Sequence, residues 1–145
     1  MLALIQRVTS ASVAIEGKQT AAIENGLLVL LGIEKADTEA DAEKLLKKVL
    51  AYRVFADAQD KMNLSVQDVD GELLIVSQFT LAADTDQGLR PGFSSAKAPQ
   101  EAKALYEYFL SCAAGQHDRI QSGIFAADMQ ISLVNDGPVT FILKS

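Results

Sequence analysis

Leu27-Leu28-Val29-Leu30-Leu31-Gly32-Ile33 is an aliphatic run with no polar alternation. A strand with one wet face alternates apolar and polar side chains, so this run reads as a strand buried on both faces. It is far too short to span a bilayer, which takes roughly 20 apolar residues. Upstream, residues 2–9 and 12–16 read as strands joined through a small-residue kink at Ser10-Ala11. Glu16-Gly17-Lys18 is a turn signal, a second strand continues through Ile23, and Asn25-Gly26 turns the chain into the buried run. Downstream, Ala42, Leu45, Leu46, Val49 and Leu50 recur at helical spacing, opposite Glu43, Lys44, Lys47 and Lys48. Thr38 and Asp41 form a loose capping box at the start of that helix. Residues 57–61 and 68–71 are polar turns, and residues 73–80 a strand. A loop with Gly88, Pro91 and Gly92 leads to a second helix, with Pro99 in its first turn and Leu105, Phe109 and Cys112 on one face. The tail reads as three strands, residues 120–125, 129–135 and 139–143, the last two joined tightly through Asp136-Gly137-Pro138. Residues 1–145 are therefore expected to form one sheet-rich α+β domain, with two main helices packed on the β-sheet.

Composition narrows the function. The chain has 145 residues, 49% of them hydrophobic and 22% charged, which places it among ordinary globular domains that need no disulfide or metal staple. Lys and Arg number 13 against 19 Asp and Glu, giving a net charge of −6. Proteins that wrap nucleic acid through broad phosphate contact carry basic patches, so this balance argues against such a nucleic-acid-wrapping role and against docking on an anionic membrane. One cysteine, Cys112, cannot form an internal disulfide, and Gln6 and Arg7 interrupt any apolar leader. A cytoplasmic protein is the expectation.

The chemistry the sequence lacks is equally informative. His117 is the single histidine, in a polar stretch just past the second helix, and reads as a solvated loop residue. No G-x-S-x-G accompanies it, so a serine triad has no support. Cys112 lies on an apolar helix stripe and reads as a packed small hydrophobe. There is no C-x-x-C, H-E-x-x-H, G-x-x-x-x-G-K or G-x-G-x-x-G. No metal and no cofactor are expected.

Three local anomalies remain. Arg7 shares a strand face with Ala3 and Ile5, where a charge is out of place. Ser77-Gln78-Phe79-Thr80 turns an aliphatic strand abruptly polar, as happens where a buried strand emerges into a pocket. Gly137-Pro138 lies between two apolar strands, where a hairpin turn is the plain reading and a cis bond would mark a functional one.

Taken in order, Ala3-Leu4-Ile5-Gln6-Arg7-Val8, Ser77-Gln78-Phe79-Thr80-Leu81 and Asn135-Asp136-Gly137-Pro138-Val139-Thr140 resemble the D-aminoacyl-tRNA deacylase family. Gly26-Leu27-Leu28-Val29-Leu30-Leu31-Gly32, Lys61-Met62-Asn63-Leu64 and Phe125-Ala126-Ala127-Asp128-Met129 fit between them. Each motif alone is weak, whereas the ordered set spans nearly the whole chain. One departure is Gly92, which stands where Ser is common in the family's Arg-Pro-Ser-Phe stretch.

The resemblance implies that fold and an esterase that removes D-amino acids mischarged onto tRNA, a proofreading step in translation. It implies a homodimer whose active site joins Ser77, Gln78, Phe79 and Thr80 of one subunit to a cis Gly137-Pro138 pair of the other. The carbonyls of that pair receive the substrate ammonium, and Arg7 holds the pair in place. Phe125 and Met129 are implied as lining for the terminal adenosine, with Lys61, Arg90 and Lys97 as candidate cations near the mouth. A backbone wedge with no Cβ at Gly137 and a locked φ at Pro138 can reject L side chains by clash while passing glycine, so glycyl-tRNA, including glycine mischarged on tRNA(Ala), is an expected second substrate. The N–H groups of Phe79 and Thr80 are the expected oxyanion donors, with the substrate 2′-OH assisting. Two other readings stay open: a small-ester or amide hydrolase using a carboxylate, and a non-catalytic dimeric aminoacyl- or nucleotide-binding module on the same scaffold.

Overall fold

A computed structural model describes residues 1–86 and 88–145. The chain runs β1 (Leu2–Ile15), β2 (Lys18–Ile23), β3 (Gly26–Gly32), α1 (Glu39–Ala51), β4 (Phe55–Ala56), β5 (Met62–Leu64), β6 (Glu72–Ser77), a 3-10 turn (Phe79–Ala82), α2 (Pro99–Ala114), β7 (Ile120–Ser122) and β8 (Gln130–Lys144). The main sheet follows the order β2-β1-β3-β6-β7, with β8 on the other edge of β1. β1 pairs antiparallel with β3 through residues 2–8 and with β2 through residues 11–15, while β8 follows it for almost its full length. The β3–β6 and β6–β7 pairs are parallel, which obliges long crossovers, and α1 and α2 supply them.

The buried run is the interior strand β3, flanked by β1 and β6; of its seven residues only Leu30 is not fully buried. The stripe of α1 (Ala42, Leu45, Leu46, Val49, Leu50) and that of α2 (Ala102, Leu105, Tyr106, Phe109, Ala113) join Ala3, Ile5, Leu27, Val29, Leu73 and Ile75 in one core. Both helices thus cover the same sheet face. The opposite face carries a smaller cluster of strand residues, Val8, Ala11, Val13, Ala21, Ile23, Leu28, Leu74 and Val76. Among the described residues no helix is long and apolar enough to cross a membrane.

Five expectations need correction. β1 is continuous rather than two strands, although its register shifts between Val8 and Ser10, close to the expected kink. Ala3 and Ile5 face the helical core, whereas Ala11 and Val13 face the second cluster, so the irregularity moves the odd-numbered residues to the other side. Asp136-Gly137-Pro138 is not a hairpin turn: β8 passes through it, and both halves pair with β1. The polar stretch after Ser77 leaves the sheet as a 3-10 turn, and β7 ends at Ser122, ahead of a turn over residues 124–127. His117 is not a solvated loop residue; its ring is half-buried and donates Nε2–H to the Gly71 carbonyl at 2.7 Å. The β4–β5 hairpin, too short to show a period, was not legible in the sequence.

Four carboxyls tie down turns. Asp41 is held below its usual range by the Thr38 hydroxyl and then its N–H, Asp57 chiefly by the Lys61 N–H, Asp68 by the Ser65 hydroxyl, and Glu72 by the Glu24 N–H and then Arg119. In each case the folded group holds its proton less tightly than the unfolded one, so its contribution is complete above the unfolded value of about 4 and is lost as the pH falls through the depressed value. Urea titrations should show the unfolding midpoint dropping steeply below about pH 4, and Asp57→Asn should lower the midpoint at pH 7 and flatten that acid slope.

Candidate functional site

The site begins where β6 runs out of sheet. Leu73, Leu74, Ile75 and Val76 are all buried, and the last ladder bond is donated by the Gln78 N–H to Leu31 O at 2.8 Å. From there the backbone tightens into the 3-10 turn, with Leu81 N–H donating to Gln78 O and Ala83 N–H to Thr80 O, both at 3.2 Å. The first N–H groups of such a turn have no internal acceptor. Those of Phe79 and Thr80 have no partner among the described residues. The Thr80 hydroxyl accepts from Gln78 Nε2, which fixes both polar side chains. The returning loop is strapped to this turn by Ser95 Oγ, which donates to Ala82 O, and closed by Asp84 and Gly92, which exchange backbone bonds at 2.8 and 2.9 Å; Lys97 Nζ ties it to the segment after β3 by donating to Lys35 O at 3.0 Å.

Beside this turn opens a cavity of about 710 Å³, within the range of small-molecule sites. One wall is Val76, Ser77, Gln78 and Phe79; the facing wall is residues 125–129, which include Phe125 and Met129. Phe79 and Phe93, 62% and 42% exposed, lean on each other at the mouth with ring centroids 5.1 Å apart. Lys97 belongs to the lining, whereas Arg90 lies exposed in the loop and Lys61 in the β4–β5 turn. Among the described residues no cluster of His, Cys, Asp or Glu has the makings of a metal site.

Gly137, Pro138 and Arg7 do not line this cavity. Four residues of β8, 136–139, stand opposite the single Arg7 of β1, and within them the Gly137-Pro138 bond is cis. Arg7 makes the excursion rigid. Its Nε donates to Asp136 O at 3.1 Å and pairs with Asp136 Oδ2 at 3.1 Å, while Nη1 donates to Val54 O at 2.6 Å. Gly137 has φ of +131°, and a Cβ there would lie 2.7 Å from Val139 Cγ2 and 3.1 Å from Arg7 Nη2. Only glycine fits both the angle and the space. The Asn135 side chain completes the clamp by accepting from Val139 N–H at 2.8 Å and donating to Thr140 Oγ1 at 2.8 Å. The charge that looked misplaced on the Ala3–Ile5 face is therefore a half-buried strut whose donors are spent on backbone carbonyls.

A family model described as D-Tyr-tRNA(Tyr) deacylase matches residues 4–144. The chain belongs to this deacylase family. It is 59% identical to the D-aminoacyl-tRNA deacylase of Cellvibrio japonicus and 60% identical to that of Citrobacter koseri, over 99% of each chain in both cases. A solved structure of a protein named c-Myc DNA Unwinding Element Binding Protein is 42% identical and superposes with a TM-score of 0.96, covering 100% of this chain and 99% of its own. A second structure, of "a probable eukaryotic D-amino acid tRNA deacylase", has a TM-score of 0.87 over 99% of this chain at 15% identity and shows the shared deacylase fold.

Two residues at the site escaped the sequence reading. Phe93 was visible only as part of Arg90-Pro91-Gly92-Phe93, and Tyr106 sat unremarked between Leu105 and Phe109, although a polar-tipped aromatic on a buried helix stripe asks for a buried partner. Arg7→Ala should leave the part-buried carbonyls of Asp136 and Val54 short of a donor and cost about 1–3 kcal/mol by urea unfolding.

Proposed function

We propose that the chain hydrolyses the ester joining a D-amino acid to the 3′-terminal adenosine of tRNA, releasing free tRNA and the D-amino acid, and that it does so as a homodimer. The observation that carries this reading is the cavity at the end of β6, of a volume suited to an aminoacyl-adenosine, lined by Phe79 and followed in the turn by Thr80, whose N–H groups have no partner among the described residues. Water adds to the ester carbonyl carbon, and the N–H groups of Phe79 and Thr80 receive the developing oxyanion. One such donor is worth on the order of 10²–10³ in rate. Collapse breaks the bond to O3′, and the proton released by the attacking water reaches that oxygen with the neighbouring 2′-OH as relay. Thr80, its hydroxyl already bonded to Gln78, positions the turn and is not a nucleophile. No histidine base is required.

Selection between mirror images needs geometry rather than affinity, because D- and L-aminoacyl esters carry the same groups. Gly137 and Pro138 are exposed and take no part in lining their own chain's cavity, yet they are clamped by Arg7 and Asn135. Such a rigid, outward-facing pair suits a site completed across two subunits: the pair of one protomer enters the cavity of its partner, its carbonyls hold the α-ammonium, and an L side chain meets the backbone. Glycine carries nothing to clash, so glycyl-tRNA, including glycine on tRNA(Ala), is also a substrate. The exposed Leu133, Val134, Phe141 and Ile142 of β8 supply apolar surface for the subunit contact.

Purified chain should deacylate D-tyrosyl-tRNA and leave L-tyrosyl-tRNA intact, and equal hydrolysis of both would overturn the reading. Thr80→Ala should retain substantial activity, whereas D-tyrosyl-tRNA ending in 2′-deoxyadenosine should lose most of it. Gel filtration should give twice the 15.5 kDa chain mass. With a net charge of −6 the enzyme inspects the end of tRNA and not its body, so KM should rise only gently with salt, well short of the slope for about six phosphate contacts. The relative named for binding a DNA element raises a second reading, a non-catalytic nucleic-acid-binding module. Binding of uncharged tRNA or DNA with no turnover of any aminoacyl ester would establish that one instead.

A further inference from the structure

The two walls of the cavity stand on neighbouring parallel strands that part company just below it. Pairing of β6 with β7 covers only Leu73, Leu74 and Ile75 against Ile120, Gln121 and Ser122. One more backbone bond, from Gly123 N–H to Ile75 O at 2.9 Å, continues the ladder. Above it, β6 leads through Ser77 into the Phe79–Ala82 turn, and the other strand leads through Gly123 towards Phe125 and Met129. The sheet therefore stops setting the distance between the walls at the level where that distance begins to matter.

The side chain found at this fork is Tyr106 of α2, 2% exposed. Its Oη lies 2.9 Å from Ile75 O and 3.2 Å from Gly123 O, so its one proton is shared between carbonyls of the two strands. The ring centroid is 5.8 Å from that of Phe125 on the far wall. Contact there is already close, since a Cβ on Gly123 would come within 2.7 Å of Met129 Sδ. Phenylalanine would fill the same volume in this core without bringing in a polar atom that must be satisfied. Burial pushes the phenol up to about 12, so it keeps its proton at any working pH and acts as a fixed donor, not as an acid or base.

We propose that Tyr106 is a positioning residue, whose phenol fixes the spacing between the turn at Phe79 and the wall bearing Phe125 and Met129. A substrate resting on the second wall then presents its ester to the first. This rests on the deacylase reading of the cavity. A misplacement of about 1 Å can cost on the order of 10²-fold in rate while binding to one wall persists, so the effect falls on kcat more than on KM.

The test compares wild type, Tyr106→Phe and a control, Phe109→Leu, which disturbs the same buried helix stripe away from the cavity. For Tyr106→Phe, kcat on D-tyrosyl-tRNA should fall roughly 10- to 100-fold with KM changed less than about threefold. Amide exchange should accelerate in residues 77–83 and 123–129 but not in the β1–β2 hairpin. Phe109→Leu should lower the melting temperature and keep wild-type kcat. The assignment is overturned if folded Tyr106→Phe keeps wild-type kcat, or if Phe109→Leu loses as much. Should wild type leave D-tyrosyl-tRNA intact, the deacylase reading fails instead. Exchange alone then decides: faster exchange confined to the two walls upholds Tyr106 as their spacer, and unchanged protection overturns it.

Discussion

The pairing of β1 with three strands is the constraint from which the rest of the molecule follows. Its first half is shared between β3 and β8 and its second between β2 and β8, so no backbone edge of β1 is left to solvent along most of its length. A charged side chain in the middle of such a strand is tolerable only if its donors are matched, and Arg7 meets that demand by bonding carbonyls of Asp136 and Val54. The same match ties the last strand to the start of the β4–β5 hairpin.

In the proposed reaction the chemistry is delegated to backbone. The cavity is mostly apolar, with the Ser77 hydroxyl, the Gln78 amide, Lys97 and Asp128 as the polar side chains of its lining, and the Phe79 and Thr80 N–H groups belong to the turn at its edge. The single histidine is committed to Gly71 O at the opposite end of β6, and Cys112 is half-buried against the helical core. On the proposed reaction the site acts through shape and dipoles, and its precision depends on how firmly each backbone segment is held. Ser95 straps the loop behind the 3-10 turn, Lys97 ties that loop to the segment after β3, and Tyr106 spans the fork below.

Much of this was legible in the sequence, and the limits have physical causes. The buried β3 run and the α1 stripe could be read because both carry strong periodic or aperiodic signals over many residues. Arg7, Ser77 to Thr80 and Gly137-Pro138 stood out as violations of local pattern, and the structure places the first and last of these together. The continuity of β8 was hidden because Gly-Pro is the usual mark of a turn, and only long-range pairing on both sides reveals a bulge. Tyr106 was hidden for the opposite reason: it obeys the helical pattern perfectly well, and only its hydroxyl partners distinguish it from the phenylalanine it resembles.

The bulge at residues 136–139 also behaves like a compensated frameshift. Relative to β1, β8 gains three residues opposite Arg7 and gives one back between Val8 and Ser10, a net offset of two. Either slip alone is odd and would turn every later side chain of β8 to the wrong face, since strand side chains alternate with period two. Their even sum lets Ile131 meet Val13 on one face while Leu143 meets Ala3 on the other. Loops on this scaffold can lengthen or shorten by single residues; this segment can change only in step with its partner strand.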